Sequence, residues 1–229
     1  MPHTPLVGER TPGSRRCIKG RVRTDLQGAV GRVEAILDEP AAPARFAALV
    51  LHPHPLFGGT MNSHAAYRLA RAARSSGGVA LRFNFRGVGL SEGAHAAGEG
   101  ETDDARLALG WLGGRHPSLP LFSSGFSFGA WIAARAGCAE PRVRGLLLAG
   151  VASRRFAMEF LRQCEKPVAA VQAEADEYGD LEGVRRLLDG PATRRRLAVV
   201  PGATHLFAED LDALEREAAE AFVWLLEAA

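Results

Sequence analysis

Six short, continuously apolar runs constrain the fold of this chain more than any other feature. Each run is shorter than an average helix and lacks the alternation of a strand with one solvated face. Such runs are typical of strands that are covered on both faces, as in a parallel sheet. The runs cover residues 46–52, 78–85, 119–125, 143–151, 167–174 and 195–202.

Stretches of helical pattern separate these runs, at 63–77, 101–115, after 125, at 154–164 and at 180–190. A final helix has the clearest periodicity, with apolar residues at three- and four-residue steps. Those residues are Leu211, Leu214, Ala218, Phe222 and Leu225. Strands that alternate with helices predict an α/β protein with a doubly wound, mostly parallel sheet flanked by helices.

The ends of the chain suggest a simple domain organisation. Residues 17–37 contain short β segments that predict an antiparallel pair at one edge of the sheet. Residues 1–16 are rich in Pro, Gly and Arg and lack the apolar core of a signal peptide, so we expect a flexible N-terminal tail. A single domain over 17–229 accounts for the rest.

The charge balance and the cysteine content limit the kinds of partner that we expect for this chain. The 28 Lys and Arg residues nearly balance the 26 Asp and Glu residues, which argues against a nucleic-acid or membrane partner. No apolar run is long enough to span a bilayer. The odd number of cysteines, Cys17, Cys138 and Cys164, favours reduced thiols in a cytoplasmic protein. We therefore expect a small-molecule substrate. The sequence is also compatible with a homodimer.

The sequence Gly125-Phe126-Ser127-Phe128-Gly129 joins the third apolar run to a helical stretch. A Gly-x-Ser-x-Gly pattern between a strand and a helix is typical of a nucleophile elbow, in which a sharp turn exposes the serine hydroxyl. The glycines are needed because side chains there would collide with neighbouring backbone. The alternative is a glycine-rich turn that merely contains a serine, so the partners of Ser127 must decide.

A nucleophilic serine needs a general base and a carboxylate that orients the base. In this type of fold the chain order is serine, acid, histidine, each in a loop after a strand. Asp176 follows the run at 167–174, and His205 follows the run at 195–202. His205 is the one histidine that follows Ser127 in the chain. The sequence therefore predicts Ser127, His205 and Asp176 as a catalytic triad.

Each of the two predicted partners of Ser127 could instead have a purely structural role. His205 could cap a helix or fill the core. The acid could also be Glu174, Glu177 or Asp180, which lie close to Asp176 and could equally be solvated or cap a helix. Asp176 is preferred because its position a few residues past the strand allows its side chain to reach the histidine loop.

Acyl transfer also requires N–H donors for the oxyanion. The backbone N–H of Phe128, directly after the serine, is the first. The second is expected from the loop after the first apolar run, where Pro53 and Pro55 have no N–H to donate. Leu56 is the first choice for this donor and Phe57 is the alternative.

The same loop raises the question of a metal site. His52 and His54 could face one ion, with His64 as a third ligand. No acidic or cysteine cluster accompanies them, so a role in bracing the loop is favoured. The sequence predicts neither a metal nor a cofactor.

Three motifs, HPHPLFGG at 52–59, NFRGVGLSEG at 84–93 and GFSFG at 125–129, occur together with the predicted triad. In these motifs the chain resembles the α/β-hydrolase superfamily, specifically its small bacterial, dienelactone-hydrolase-like members. The resemblance covers nearly the whole chain after about Cys17 and implies an α/β-hydrolase fold. The family's acid segment aligns with 173–179 and supports Asp176, although Ala173 and the pair Tyr178-Gly179 depart from its usual pattern.

Together these features predict a serine hydrolase that cleaves a small ester-like substrate through an acyl-enzyme. The one segment available as a cap, 151–167, is short, which predicts a minimal cap and an open pocket. Its expected apolar lining is Phe57, Phe126, Phe156 and Phe160. Peptidase or acyltransferase activity on the same triad, or a non-catalytic binding protein of this fold, are the alternatives.

Overall fold

The apolar runs form the centre of one sheet in the computed structural model, which describes residues 15–18, 20–190 and 194–229. Most of the predicted tail, residues 1–14, lies outside the described residues, whereas Arg15 and Arg16 belong to the first strand. The described strands are β1 Arg15–Ile18, β2 Arg21–Gly28, β3 Gly31–Asp38, β4 Phe46–Leu51, β5 Gly78–Phe83, β6 Leu121–Phe126, β7 Val143–Ala149, β8 Val168–Ala173 and β9 Arg195–Val200.

The strands lie in the order β1-β2-β3-β5-β4-β6-β7-β8-β9. All strands from β4 to β9 pair in parallel. The strands β1, β2 and β3 are antiparallel, and β3 joins them to β5 in the antiparallel direction. This arrangement confirms the predicted mostly parallel sheet with an antiparallel edge.

Helices cover both faces of the sheet. The described helices are α1 His64–Ser75, α2 Glu99–Arg115, α3 Phe128–Ala139, α4 Leu181–Leu188 and α5 Leu211–Ala228. On one face α1 and α5 pack over a core that includes Phe46, Phe122 and Phe222, whose rings stack or tilt against one another. On the other face α2, α3 and α4 cover a second core. None of the helices in the described ranges is long and apolar enough to cross a bilayer.

Two elements differ from the prediction. The strand β9 is half-buried along most of its length, because it lies at one edge of the sheet, next to β8. The segment 154–164 forms only a short 3₁₀ helix, Glu159–Gln163. Part of its backbone is held by another element, since the indole N–H of Trp131 donates a hydrogen bond to the carbonyl of Ala157 (3.2 Å).

The topology places a crevice at the carboxyl ends of β4 and β6. From β4 the chain passes to β5 on one side, and from β5 it crosses to β6 on the other side of β4. Ligands of such sheets bind where the winding direction reverses. Since Leu51 pairs with Gly125, the loop after β4 and the turn after β6 lie side by side at this point.

His52 anchors the loop after β4. Its side chain is completely buried; Nδ1 lies 2.7 Å from the carbonyl oxygen of Pro53, and Nε2 accepts the N–H of Phe85 (3.0 Å). Because Nε2 accepts, the proton of the neutral ring is on Nδ1. Both nitrogens are thus occupied, and among the described residues no group of three or more His, Cys, Asp or Glu could hold a metal ion.

We expect this burial to make the stability depend on pH. Burial lowers the pKa of His52 from 6.5 to about 4, so the unfolded chain takes up a proton at a higher pH than the folded protein. The contribution of neutral His52 to the free energy of unfolding is therefore lost as the pH falls from about 6.5 to about 4. Between pH 8 and pH 5 the loss from this group is about 2 kcal/mol. Urea unfolding at both pH values measures it, and His52→Gln should show a smaller pH dependence; an unchanged dependence would contradict the assignment.

Candidate active site

Ser127 occupies the sharp turn between β6 and α3. Its backbone has φ 56° and ψ −118°, and its N–H donates to the carbonyl of Ala149 (2.9 Å). A Cβ atom at Gly125 would lie 2.3 Å from the carbonyl oxygen of Gly129, and one at Gly129 would lie 2.4 Å from that of Leu51. Both glycines are therefore required by close backbone contacts, as the sequence motif predicts.

His205, in the loop after β9, lies between Ser127 and Asp176. Its Nε2 is 2.8 Å from Ser127 Oγ, and its Nδ1 is 2.8 Å from Asp176 Oδ2. The imidazole is almost fully buried, and the rings of Phe126 and Tyr178 pack against it at centroid distances of 5.2 and 4.7 Å. The structure thus brings together the three side chains that the sequence predicts as partners.

Hydrogen bonds hold the carboxylate of Asp176 in place. Its Oδ1 accepts the N–H groups of Tyr178 (2.8 Å) and Gly179 (3.0 Å). Its Oδ2 accepts Nε2 of Gln172 (2.8 Å) in addition to His205. Four donors therefore surround a carboxylate that is almost fully buried, which fixes its orientation toward the imidazole.

The three neighbouring acids have other partners. Glu174 accepts a backbone N–H of the loop after β9 (2.8 Å), and Glu177 accepts the backbone N–H of His205 (3.2 Å). Asp180 caps α4 through the N–H of Gly183 (2.6 Å). None of them forms a hydrogen bond with the His205 ring among the described residues.

The residues that depart from the family's usual pattern, Ala173, Tyr178 and Gly179, lie close to Asp176 in the chain. Ala173 is fully buried at the end of β8. A Cβ at Gly179 would lie 1.8 Å from the carbonyl oxygen of Val151, so only glycine fits there. Tyr178 contributes both an N–H to the carboxylate and a ring against His205, two contacts that a sequence motif for the acid alone does not indicate.

A cavity of about 710 Å³ opens in front of Ser127, which is within the usual range for small-molecule sites. Phe57, Phe126 and Phe156 line it as the sequence predicts, but Phe160 does not. Phe160 lines a different cavity, because the 3₁₀ helix that carries it borders the end of α3. Sequence reasoning missed several lining residues, most of which neighbour predicted site residues in the chain. They are Ala152, Arg155, Tyr178 and Leu206.

The two predicted loop donors are already engaged. The N–H of Leu56 donates to Nδ1 of His54 (3.2 Å), and the N–H of Phe57 donates to the carbonyl of His54 (3.1 Å). The His54 ring packs between Phe57 and Phe128 at 4.8 and 4.7 Å. Burial lowers the pKa of His54, and His95 beside it lowers it further, which favours the neutral acceptor.

No family model matches the chain. It is 33% identical to an uncharacterized protein of Rickettsia prowazekii over 189 residues, which is 79% of each chain.

The solved structures similar to this fold include two α/β serine hydrolase homologues. An α/β serine hydrolase homologue from Coxiella burnetii is 31% identical, covers 87% of this chain and 96% of its own, and superposes with a TM-score of 0.82. A lidless α/β serine hydrolase from Xanthomonas campestris is 29% identical, with 90% and 95% covered and a TM-score of 0.81. The chain therefore belongs to the α/β-hydrolase superfamily, among its serine hydrolase homologues.

Proposed function

We propose that this protein is a serine esterase that cleaves small esters with an apolar acyl group. The observation that carries the proposal is the unbroken chain of two 2.8 Å contacts from Ser127 Oγ through His205 to Asp176. In this assignment Ser127 is the nucleophile, His205 is the general base and acid, and Asp176 orients His205.

The hydrogen bonds around His205 support this direction of proton transfer. Asp176 can only accept, so Nδ1 of His205 carries the proton and Nε2 presents its lone pair to the Ser127 hydroxyl. When the serine attacks the ester carbonyl, Nε2 takes its proton and the imidazolium is stabilised by the carboxylate. Nε2 then protonates the leaving alcohol, and a water activated in the same way releases the acid from the acyl-enzyme.

The oxyanion would be held by backbone N–H groups. Phe128 opens α3, and its N–H is one of those that a helix start leaves without an intrahelical partner. For the second donor we favour His54 over Leu56 and Phe57, whose N–H groups are engaged within the loop. Neither the Phe128 nor the His54 N–H has a hydrogen-bond partner among the described residues, and both residues belong to the elements that meet beside Ser127.

The shape of the cavity supports small apolar acyl groups. Its lining is mostly aromatic and aliphatic, and Phe57 is 87% exposed at its mouth. The segment between β7 and β8, which the sequence leaves for a cap, contributes Ala152, Arg155 and Phe156 to the lining of the cavity. We expect such a pocket to accept esters with short or aromatic acyl groups, which supports the esterase over the peptidase alternative.

Replacing Ser127 by Ala should abolish both labelling by a fluorophosphonate probe and turnover of p-nitrophenyl esters, because in the described parts of the chain no other hydroxyl lies within hydrogen-bond distance of Nε2 of His205. We expect kcat to fall by about 10⁴-fold or more. The matched control is Ser153→Ala, which removes a serine beside the cavity-lining Ala152 and should leave labelling intact. Labelling that survives Ser127→Ala would contradict the mechanism, and a folded protein that turns over aminoacyl amides but not esters would favour the peptidase.

Replacing Asp176 by Asn should lower kcat by about 10⁴-fold, because the amide no longer selects the required tautomer of His205. Glu174→Gln, which changes a neighbouring acid bonded elsewhere, should stay within about two-fold. Steady-state kinetics on one ester checks both variants. Equal losses in both would mean that the acid has been assigned wrongly.

Replacing Phe57 by Ala should raise KM for esters with apolar acyl chains by about 5- to 10-fold, the effect of about 1 kcal/mol of lost apolar contact. The melting temperature should not change, since the Phe57 ring is exposed in the free protein. Phe160→Ala is the control, because that ring lies outside the cavity. A larger effect on KM from Phe160→Ala would contradict the assigned pocket.

A further inference from the structure

A second cavity, of about 510 Å³, lies between the end of α3 and the segment before β8. It shares no lining residue with the cavity in front of Ser127. Two free cysteines line it, Cys138 in the last turn of α3 and Cys164 directly after the 3₁₀ helix. The hydrolase chemistry proposed for Ser127 makes no use of either thiol.

Two cations beside the thiols lack a carboxylate partner. Lys166 Nζ donates to the carbonyl of Gly137 (2.7 Å) and to that of Glu140. Arg195 donates to the carbonyl oxygens of Cys164 (2.5 Å) and Lys166 (2.6 Å). Neither cation forms a salt bridge with a carboxylate in the described parts of the chain, and Nε of Arg195 is buried without any hydrogen-bond partner.

Charges that are partly withdrawn from water are normally paired. Glu140 and Glu165 are the carboxylates near this site, and neither lies within salt-bridge distance of Lys166 or Arg195. A thiolate at Cys164 would supply a negative charge that interacts with both cations. The cavity therefore has the electropositive and partly open character that activates cysteines.

The thiols also polarise each other. A hydrogen bond from Cys138 lowers the pKa of Cys164, and the backbone N–H of Lys166 and the charge of Arg195 lower it further, against the opposing effect of burial. The same hydrogen bond and burial raise the pKa of Cys138. The two shifts have opposite directions, so Cys164 is the thiol of this pair that loses its proton more readily.

We propose that Cys164 and Cys138 form a second reactive site, in which the Cys164 thiolate reduces a hydroperoxide and the Cys138 thiol then closes an intramolecular disulfide. In the first step the sulfur of Cys164 attacks the distal oxygen of ROOH, the O–O bond breaks, and Cys164 becomes a sulfenic acid while RO⁻ takes a proton and leaves as ROH. In the second step the Cys138 sulfur attacks the Cys164 sulfur, the S–O bond breaks, and water leaves. The two sulfurs together lose two electrons, and the peroxide gains them.

The test uses the full chain with Cys17→Ser in every variant, so that only two thiols remain. Treatment with hydrogen peroxide or tert-butyl hydroperoxide is followed by mass spectrometry of the intact protein and of its peptides. The parent should lose two hydrogen masses and give a peptide linked through Cys138 and Cys164. Cys138→Ser should instead accumulate a dimedone adduct on Cys164, and Cys164→Ser should react at least about 10-fold more slowly.

Iodoacetamide alkylation as a function of pH provides an independent readout. Cys164 should be alkylated with a midpoint below that of an ordinary thiol, and Lys166→Gln should raise this midpoint. Circular dichroism verifies that each variant is folded. The proposal is overturned if the parent forms no disulfide between these residues, or if Cys138 is the more reactive thiol. Ester turnover has no part in these measurements, so the outcome does not depend on the function of Ser127.

Discussion

The close backbone contact between the Ser127 turn and the end of β4 is the constraint on which the active site depends. Gly129 approaches Leu51 so closely that no side chain fits between them. This contact leaves Ser127 with a positive φ, a conformation that costs a non-glycine residue about 1–3 kcal/mol. The pairing of β6 between β4 and β7, and the hydrogen bond from the Ser127 N–H to Ala149, hold the turn in place. The position of the hydroxyl is thus a property of the whole sheet.

A buried glutamine, Gln172, also connects Asp176 to the sheet by hydrogen bonds. Gln172 in β8 accepts the N–H of Val151 (2.7 Å) and donates to Asp176 (2.8 Å) and to the carbonyl of Gly179 (2.7 Å). It therefore connects the end of β7 with both ends of the acid loop. Burying an isolated carboxylate is unfavourable unless donors compensate it. Gln172 is one of these donors, and because it belongs to a strand, the sheet itself orients Asp176 toward His205.

The architecture and the order of the site residues along the chain could be predicted from the sequence because both depend on local signals. Continuous apolar runs identify buried strands, and Asp176 and His205 follow such runs directly. The features that could not be predicted from the sequence depend on contacts between distant segments. The exposure of β9 follows from its place at the sheet edge, and the engagement of the Leu56 N–H follows from the turn of His54. Likewise Phe160 has the composition of a pocket residue, but the segment that holds it faces another cavity.

The helix α3 connects two different electrostatic environments. At its start the helix dipole and the Phe128 N–H favour negative charge, which suits an oxyanion beside Ser127. At its other end the dipole is negative and would by itself disfavour a thiolate near Cys138. Lys166 reverses this, because its ammonium group binds the terminal carbonyl oxygens, including that of Gly137. An anion can therefore be stabilised at both ends of one helix, by backbone N–H groups at the first and by side-chain cations at the second.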